Sequence, residues 1–161
     1  MKKILIILSG LILSLYGCQK YDNPVVTYAP TFPISGEWWA TLKDASGNVL
    51  VGYKKLETFN TASNRPDSIW VDDLGNLWNF KVKVGCNVPS KSFASSDSVM
   101  NLYYPINVKI TEGVVVLKGG KTKGGNVSDS IYMKIGFTDG PSGTVYIVSG
   151  VRRTGFVEDE Y

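Results

Sequence analysis

From Glu37 onward the chain alternates apolar and polar residues with a period of two. Phe80, Val82 and Val84 are separated by Lys81 and Lys83, and Ile106, Val108 and Ile110 by Asn107 and Lys109. Ile131, Met133, Ile135 and Phe137 are likewise interleaved with Tyr132, Lys134 and Gly136. A strand of this pattern offers one face to a core and the other to water. The same signals predict strands over 37–43, 49–58, 68–71, 77–84, 99–104, 106–111, 114–118, 131–137 and 144–153. Gly, Asn, Asp and Pro clusters at 44–48, 72–76 and 139–143, and the pair Glu112-Gly113, predict the turns between them. No stretch carries apolar residues at helical spacing. Eight or nine antiparallel strands joined by short loops point to an all-β fold. An up-and-down barrel of about eight strands suits it best, since closure removes exposed edges. A Greek-key β-sandwich is the alternative.

The first residues follow a different rule. Lys2 and Lys3 precede an apolar run from Ile4 to Tyr16. As a helix that run would rise about 20 Å, short of the roughly 30 Å of a bilayer core, so it reads as an export signal. It ends in Leu15-Tyr16-Gly17-Cys18, which resembles a bacterial lipobox. The resemblance implies that Cys18 receives diacylglycerol and becomes the acylated N-terminus, anchored in the membrane by its acyl chains. Gln19 is not the Asp that retains lipoproteins at the inner membrane, which favours the outer membrane. Cys18-Gln19-Lys20-Tyr21-Asp22 also resembles a tag for export to the cell surface. Pro24, Pro30 and Pro33 then interrupt a stretch without periodicity, an extended tether. The expected divisions are a signal peptide over 1–17, an acylated N-terminus and tether over 18–33, and a β-barrel domain over 34–161.

Charge changes the picture by what it excludes. Seventeen Lys and Arg stand against 14 Asp and Glu, and without Lys2 and Lys3 the balance falls from +3 to +1. That is no basic face for nucleic acid. Only 19% of residues are charged while 43% are hydrophobic, enough to build a core. Two cysteines occur, and with Cys18 acylated Cys86 has no disulfide partner, so it reads as a small buried hydrophobe. No oligomerisation signal is present beyond that thiol, and a monomer is expected.

Histidine is absent altogether. That removes Ser-His-Asp and Cys-His machinery, and neither a Gly-x-Ser-x-Gly elbow nor a Ser-x-x-Lys pair occurs. Gly120-Lys121-Thr122 looks like the end of a phosphate-binding loop, but Val115 stands where its first Gly belongs, so 119–126 reads as a mobile loop. No metal site is expected from one free Cys and the pair Asp72-Asp73, nor any cofactor. A glycosidase-like carboxylate pair drawn from Glu37, Glu57 and Asp72 would be the remaining catalytic option. Asp67-Ser68-Ile69, Asp97-Ser98-Val99 and Asp129-Ser130-Ile131 each precede a strand. They resemble an O-glycosylation sequon of Gram-negative gut anaerobes, which makes Ser68, Ser98 and Ser130 candidate modification sites. Asp and Ser also end turns and aliphatic residues begin strands, and the sequon resemblance does not displace that reading.

Ser35-Gly36-Glu37-Trp38-Trp39 resembles the Gly-x-Trp of lipocalins and other calycins. There the Trp plugs one barrel end and an Arg of the last strand stacks across it, which points to Trp38 with Arg152 or Arg153. With the lipobox, the domain length and the terminal Gly150-Val151-Arg152-Arg153-Thr154-Gly155-Phe156, the chain is similar to a family of small calycin-like bacterial lipoproteins named as putative lipid-binding hydrolases. The resemblance runs from about Pro33 to Tyr161. It implies a lipocalin-like barrel and a small lipid-like ligand, and it carries no catalytic residue onto this chain.

The expectation is a membrane-anchored, non-catalytic barrel holding a small apolar or amphipathic molecule in its interior, with Trp38, Arg152 and Arg153 as ligand contacts or barrel-end plug. Two alternatives stay open. One is a surface module recognising glycan or protein through Trp70, Trp78, Tyr103 and Tyr104. The other is a hydrolase with a carboxylate site.

Overall fold

A computed structural model of the chain describes residues 23–161. The expected signal peptide, Cys18 and the first part of the tether lie outside the described residues. A short 3-10 turn at Phe32–Ile34 leads into nine strands: β1 (Gly36–Lys43), β2 (Val49–Asn60), β3 (Ser68–Asp72), β4 (Lys81–Asn87), β5 (Ser92–Ala94), β6 (Val99–Met100), β7 (Asn107–Lys121), β8 (Val127–Phe137) and β9 (Tyr146–Arg152). A second 3-10 turn, Val157–Asp159, follows.

All pairings are antiparallel, and each strand from β1 to β4 pairs with the next. The last strand returns to the first, with Trp38 opposite Arg152. On the other side β5 pairs with β7, which continues through β8 to β9. The result is a closed eight-staved barrel. The two-residue β6 shares with β5 the flank of β7: β5 meets it at Gly113 and Val114, β6 at Asn107 and Val108. Between these two pieces Ser95 bridges the ladder, its N–H donating to Ile110 O and its Oγ accepting the Ile110 N–H.

Several element boundaries differ from the sequence reading. β4 begins at Lys81 and not at Leu77, because the preceding backbone is wrapped around one carboxylate. Asp73, fully buried, accepts the N–H groups of Gly75, Leu77, Trp78, Asn79 and Phe80 at 2.7–2.9 Å. β5 carries too little sequence to be foreseen, and the strand expected over 99–104 is only Val99–Met100. Glu112-Gly113 makes no turn. β7 runs through it with a register shift, and Gly113 is there because the Phe93 ring lies where its Cβ would be. β8 starts at Val127, so Asp129-Ser130-Ile131 sits inside a strand. The expected mobile loop at 119–126 is instead the strand end of β7 and a tight hairpin turn. Thr122 N donates to Asn126 O at 2.9 Å, and Asp159 Oδ1 accepts the Gly124 N–H at 3.0 Å.

The interior is filled. Trp38, Leu56, Phe80, Ile110, Met133 and Val148 are all shielded completely from solvent and belong to one continuous core. Eight staves leave a lumen just wide enough for side chains, and here bulky residues from facing strands occupy it. At the end opposite the N-terminal entry, Trp78 stacks on Phe137 at 4.6 Å and packs against Tyr146. Clefts of about 460, 370, 270 and 240 Å³ open outward between strands. Of the core, Phe93 and Phe137 reach the clefts of about 460 and 270 Å³, while the six residues just named line none of the four. This corrects the expectation of a ligand held in the barrel interior.

Candidate functional site

The Gly-x-Trp and terminal Arg motifs meet at the entry end of the barrel. Trp38 points inward from β1 and donates from Nε1 to Thr58 Oγ1 at 2.9 Å, while Thr58 donates to Ile34 O at 2.7 Å. The Arg152 guanidinium lies over the Trp38 ring, its Cζ 4.5 Å from the centroid. Its Nε donates to Asp129 Oδ2 at 2.9 Å and its Nη1 to Ser35 O at 2.7 Å. Gly36 follows from this geometry, since any Cβ there would overlap the guanidinium. Arg153 does not join Trp38. It faces outward, where Nη1 donates to Glu37 Oε2 at 2.8 Å and Nε pairs with Glu160 Oε1 at 2.8 Å.

Beside this plug lies an open cleft of about 370 Å³, lined by Phe32, Pro33, Leu117, Asp129 and Arg152. One wall is the entry segment, where Tyr28 packs on Phe32 with ring centroids 4.1 Å apart. The other wall is the end of β7. Phe32 and Leu117 remain 50% and 51% exposed, which leaves apolar surface unburied on both sides. Of the Arg152 donors, Nη2 makes no hydrogen bond to protein among the described residues. Leu117 and Phe32 were not singled out from sequence, and Asp129 entered only as the first residue of a sequon-like triplet. The β7–β8 register that brings them together depends on a two-residue slip between Val116 and Gly120, which leaves no periodic trace.

The three carboxylates considered for catalysis do come together. Glu37 is the cross-strand partner of Glu57, and Glu57 of Asp72, on the outer face of β1, β2 and β3. Two of them are committed to bonds. Glu37 is held by Arg153, and Asp72 is bonded by Lys81 Nζ at 2.9 Å and Tyr103 Oη at 2.6 Å. Burial opposes ionisation of Asp72, but these donors and the Leu74 N–H outweigh it and hold its carboxyl below the usual range. Glu37 and Glu57 line a shallow cleft of about 240 Å³. Among the described residues, no group of three or more His, Cys, Asp or Glu could hold a metal ion.

The aromatics proposed as a recognition surface form no outward row. Trp78 donates from Nε1 to Asp139 Oδ1 at 3.0 Å, and Tyr104 donates to Asp139 Oδ2 at 2.6 Å. Burial and that bond push the Tyr104 phenol up to about 12, and the same two causes push Tyr103 up beside Asp72. Trp70 is half-buried, with Lys81 Nζ 5.9 Å from its ring centroid. Trp78 and Tyr104 help seal the far end, whereas Tyr103 stays 42% exposed and Trp70 lies on the outer face of β3. Ser98 is exposed, whereas Ser68 and Ser130 are half-buried at strand positions. Cys86 is half-buried too, donating to Pro66 O at 3.3 Å, and burial followed by the Asp67 charge pushes its thiol up.

No curated protein matches the chain. The family model described as "Lipid-binding putative hydrolase" matches residues 23–157, from the entry segment through β9 to the second 3-10 turn. That span takes in the Trp38–Arg152 plug, the cleft beside it and the closed barrel between, and the chain belongs to this lipid-binding family.

Proposed function

We propose that this protein is a membrane-anchored lipoprotein, held by acylated Cys18, whose barrel is a non-catalytic binder of a small lipid-like molecule. The observation that carries the reading is the lipid-binding family match over residues 23–157 on a barrel whose core is full. The ligand is therefore taken on the outer surface and not in the lumen. A binding role is favoured over hydrolysis because the chain holds no histidine and two of the three outer carboxylates are bonded to cations. The signal at Leu15-Tyr16-Gly17-Cys18 supports placement in the cell envelope, with the outer membrane as the proposed compartment and the domain monomeric.

The test uses the full chain expressed in a Gram-negative host. Metabolic labelling with an alkyne fatty acid should mark the wild type, and Cys18→Ser should lose the label and leave the membrane fraction. Protein purified from those membranes should carry a non-covalent lipid, detected by native mass spectrometry and lost on denaturation. Labelling that survives Cys18→Ser would refute the anchor, and a ligand-free mass throughout would refute the binding role.

A further inference from the structure

The cleft beside the plug has the features of a lipid seat. Its walls are apolar, formed by Phe32 and Pro33 on one side and Leu117 on the other, and both large side chains are half-exposed. Half-exposed apolar residues facing one another across a cleft, with polar groups at one edge, are the usual mark of a ligand site. Its volume of about 370 Å³ lies at the low end of the range for small-molecule sites, room for one hydrocarbon chain and not two.

The polar edge supplies the second half of the chemistry. Arg152 and Asp129 line the same cleft and are paired at 2.9 Å, so their charges cancel. Lys118 stands beside the cleft without lining it, its N–H donating to Asp129 Oδ1 at 2.9 Å, and its exposed side chain enters no ion pair among the described residues. Arg152 is fixed by Trp38, Asp129 and Ser35, yet its Nη2 has no protein acceptor. A guanidinium held rigid with one donor edge free is prepared for an anionic oxygen, and loses little entropy in binding it.

We infer that this cleft seats the hydrocarbon chain of a single-chain anionic amphiphile, a long-chain carboxylate, whose head accepts from Arg152 Nη2 beside Lys118. The inference rests on the lipid-binding reading above and adds the site and ligand class.

The experiment is photolabelling of the full chain in its native membranes. Three diazirine probes of equal chain length are used: a fatty acid, the corresponding fatty alcohol, and a diacyl phosphatidylglycerol. Saturable fatty-acid adducts should map to residues 28–33 and 114–121, with the alcohol labelling about tenfold less for loss of the charge-assisted contact. Leu117→Glu, at a half-exposed position, should leave the thermal midpoint unchanged and cut fatty-acid labelling by about tenfold, whereas Leu74→Glu at the far end should change neither. Arg152→Lys, which keeps the charge but loses the forked donor, should lower labelling while the alcohol stays at its baseline. Saturable fatty-acid adducts that map elsewhere, equal labelling by alcohol and acid, or preference for the diacyl probe would overturn the site while leaving lipid binding intact. Absence of saturable labelling by all three probes would overturn the lipid-binding reading with it.

Discussion

Single residues close both ends of this barrel by satisfying polar groups in place. At the entry end Arg152 covers Trp38, and at the far end Asp139 collects Trp78 Nε1 and Tyr104 Oη. The Tyr104 phenol has a folded-state pKa of about 12, above its ordinary value of 10, because burial and the bond to Asp139 favour the neutral form. A group whose pKa is raised by folding contributes its full share below the unfolded value and loses it as pH rises to the folded one. The stabilisation from Tyr104 should therefore be intact up to about pH 10 and disappear by about pH 12. We expect Tyr104→Phe to unfold at lower urea than wild type at pH 8, with the gap narrowing across that window. A gap that stays constant to pH 12 would mean that Tyr104 does not titrate with unfolding. This part of the structure was hidden from sequence. Trp78 and Tyr104 looked like a display of aromatics because polar tips and flat rings suit recognition and closure alike, and only the loop position of Asp139 decides which.

At the scale of elements, closure is weakest between β5 and β7. Two residue pairs join them, and the ladder beyond depends on the Ser95 side chain. Phe93 is the fastener: buried in the core, it lies against Gly113 with no room for a Cβ. Gly113→Val should cost about 1–3 kcal/mol through overpacking, seen as a lower denaturant midpoint with an unchanged slope. Hydrogen exchange should locate the damage, with the amides of β5 and of Val114–Val115 exchanging faster and those of β1 and β9 unchanged. Uniform acceleration around the barrel would instead argue that no seam exists and that the staves open together. Gly113 also shows where period-two reading stops. The alternation of Phe80, Val82 and Val84, or of Ile131 through Phe137, told inward from outward correctly, because each residue there follows the local pleat. Glu112-Gly113 reads as a turn by composition, yet it is a strand position emptied to admit a ring from another element. Asp73 misled in the same way, since a carboxylate that gathers five amides delays β4 without altering any hydrophobic pattern.

The described residues join a lipid-binding family to a core of fully buried side chains, and that combination carries a consequence for mutants. If the ligand sits in the outer cleft, core volume and ligand affinity should vary independently. Leu56 is completely buried between facing staves and lines none of the described clefts. Truncation to Ala should remove about 2–5 kcal/mol of stability through lost burial and an unfilled cavity. We expect Leu56→Ala to melt earlier but, below its midpoint, to take up the fatty-acid probe as the wild type does. Leu117→Glu should behave in the opposite way, stable but unlabelled, because its side chain is half in water already and contributes to the cleft instead of the core. Loss of labelling in folded Leu56→Ala would place the ligand among the core residues, and would require the staves to part before binding. The seam at β5 and β7 would then be the first place to look for the opening, since it is held by the fewest pairs.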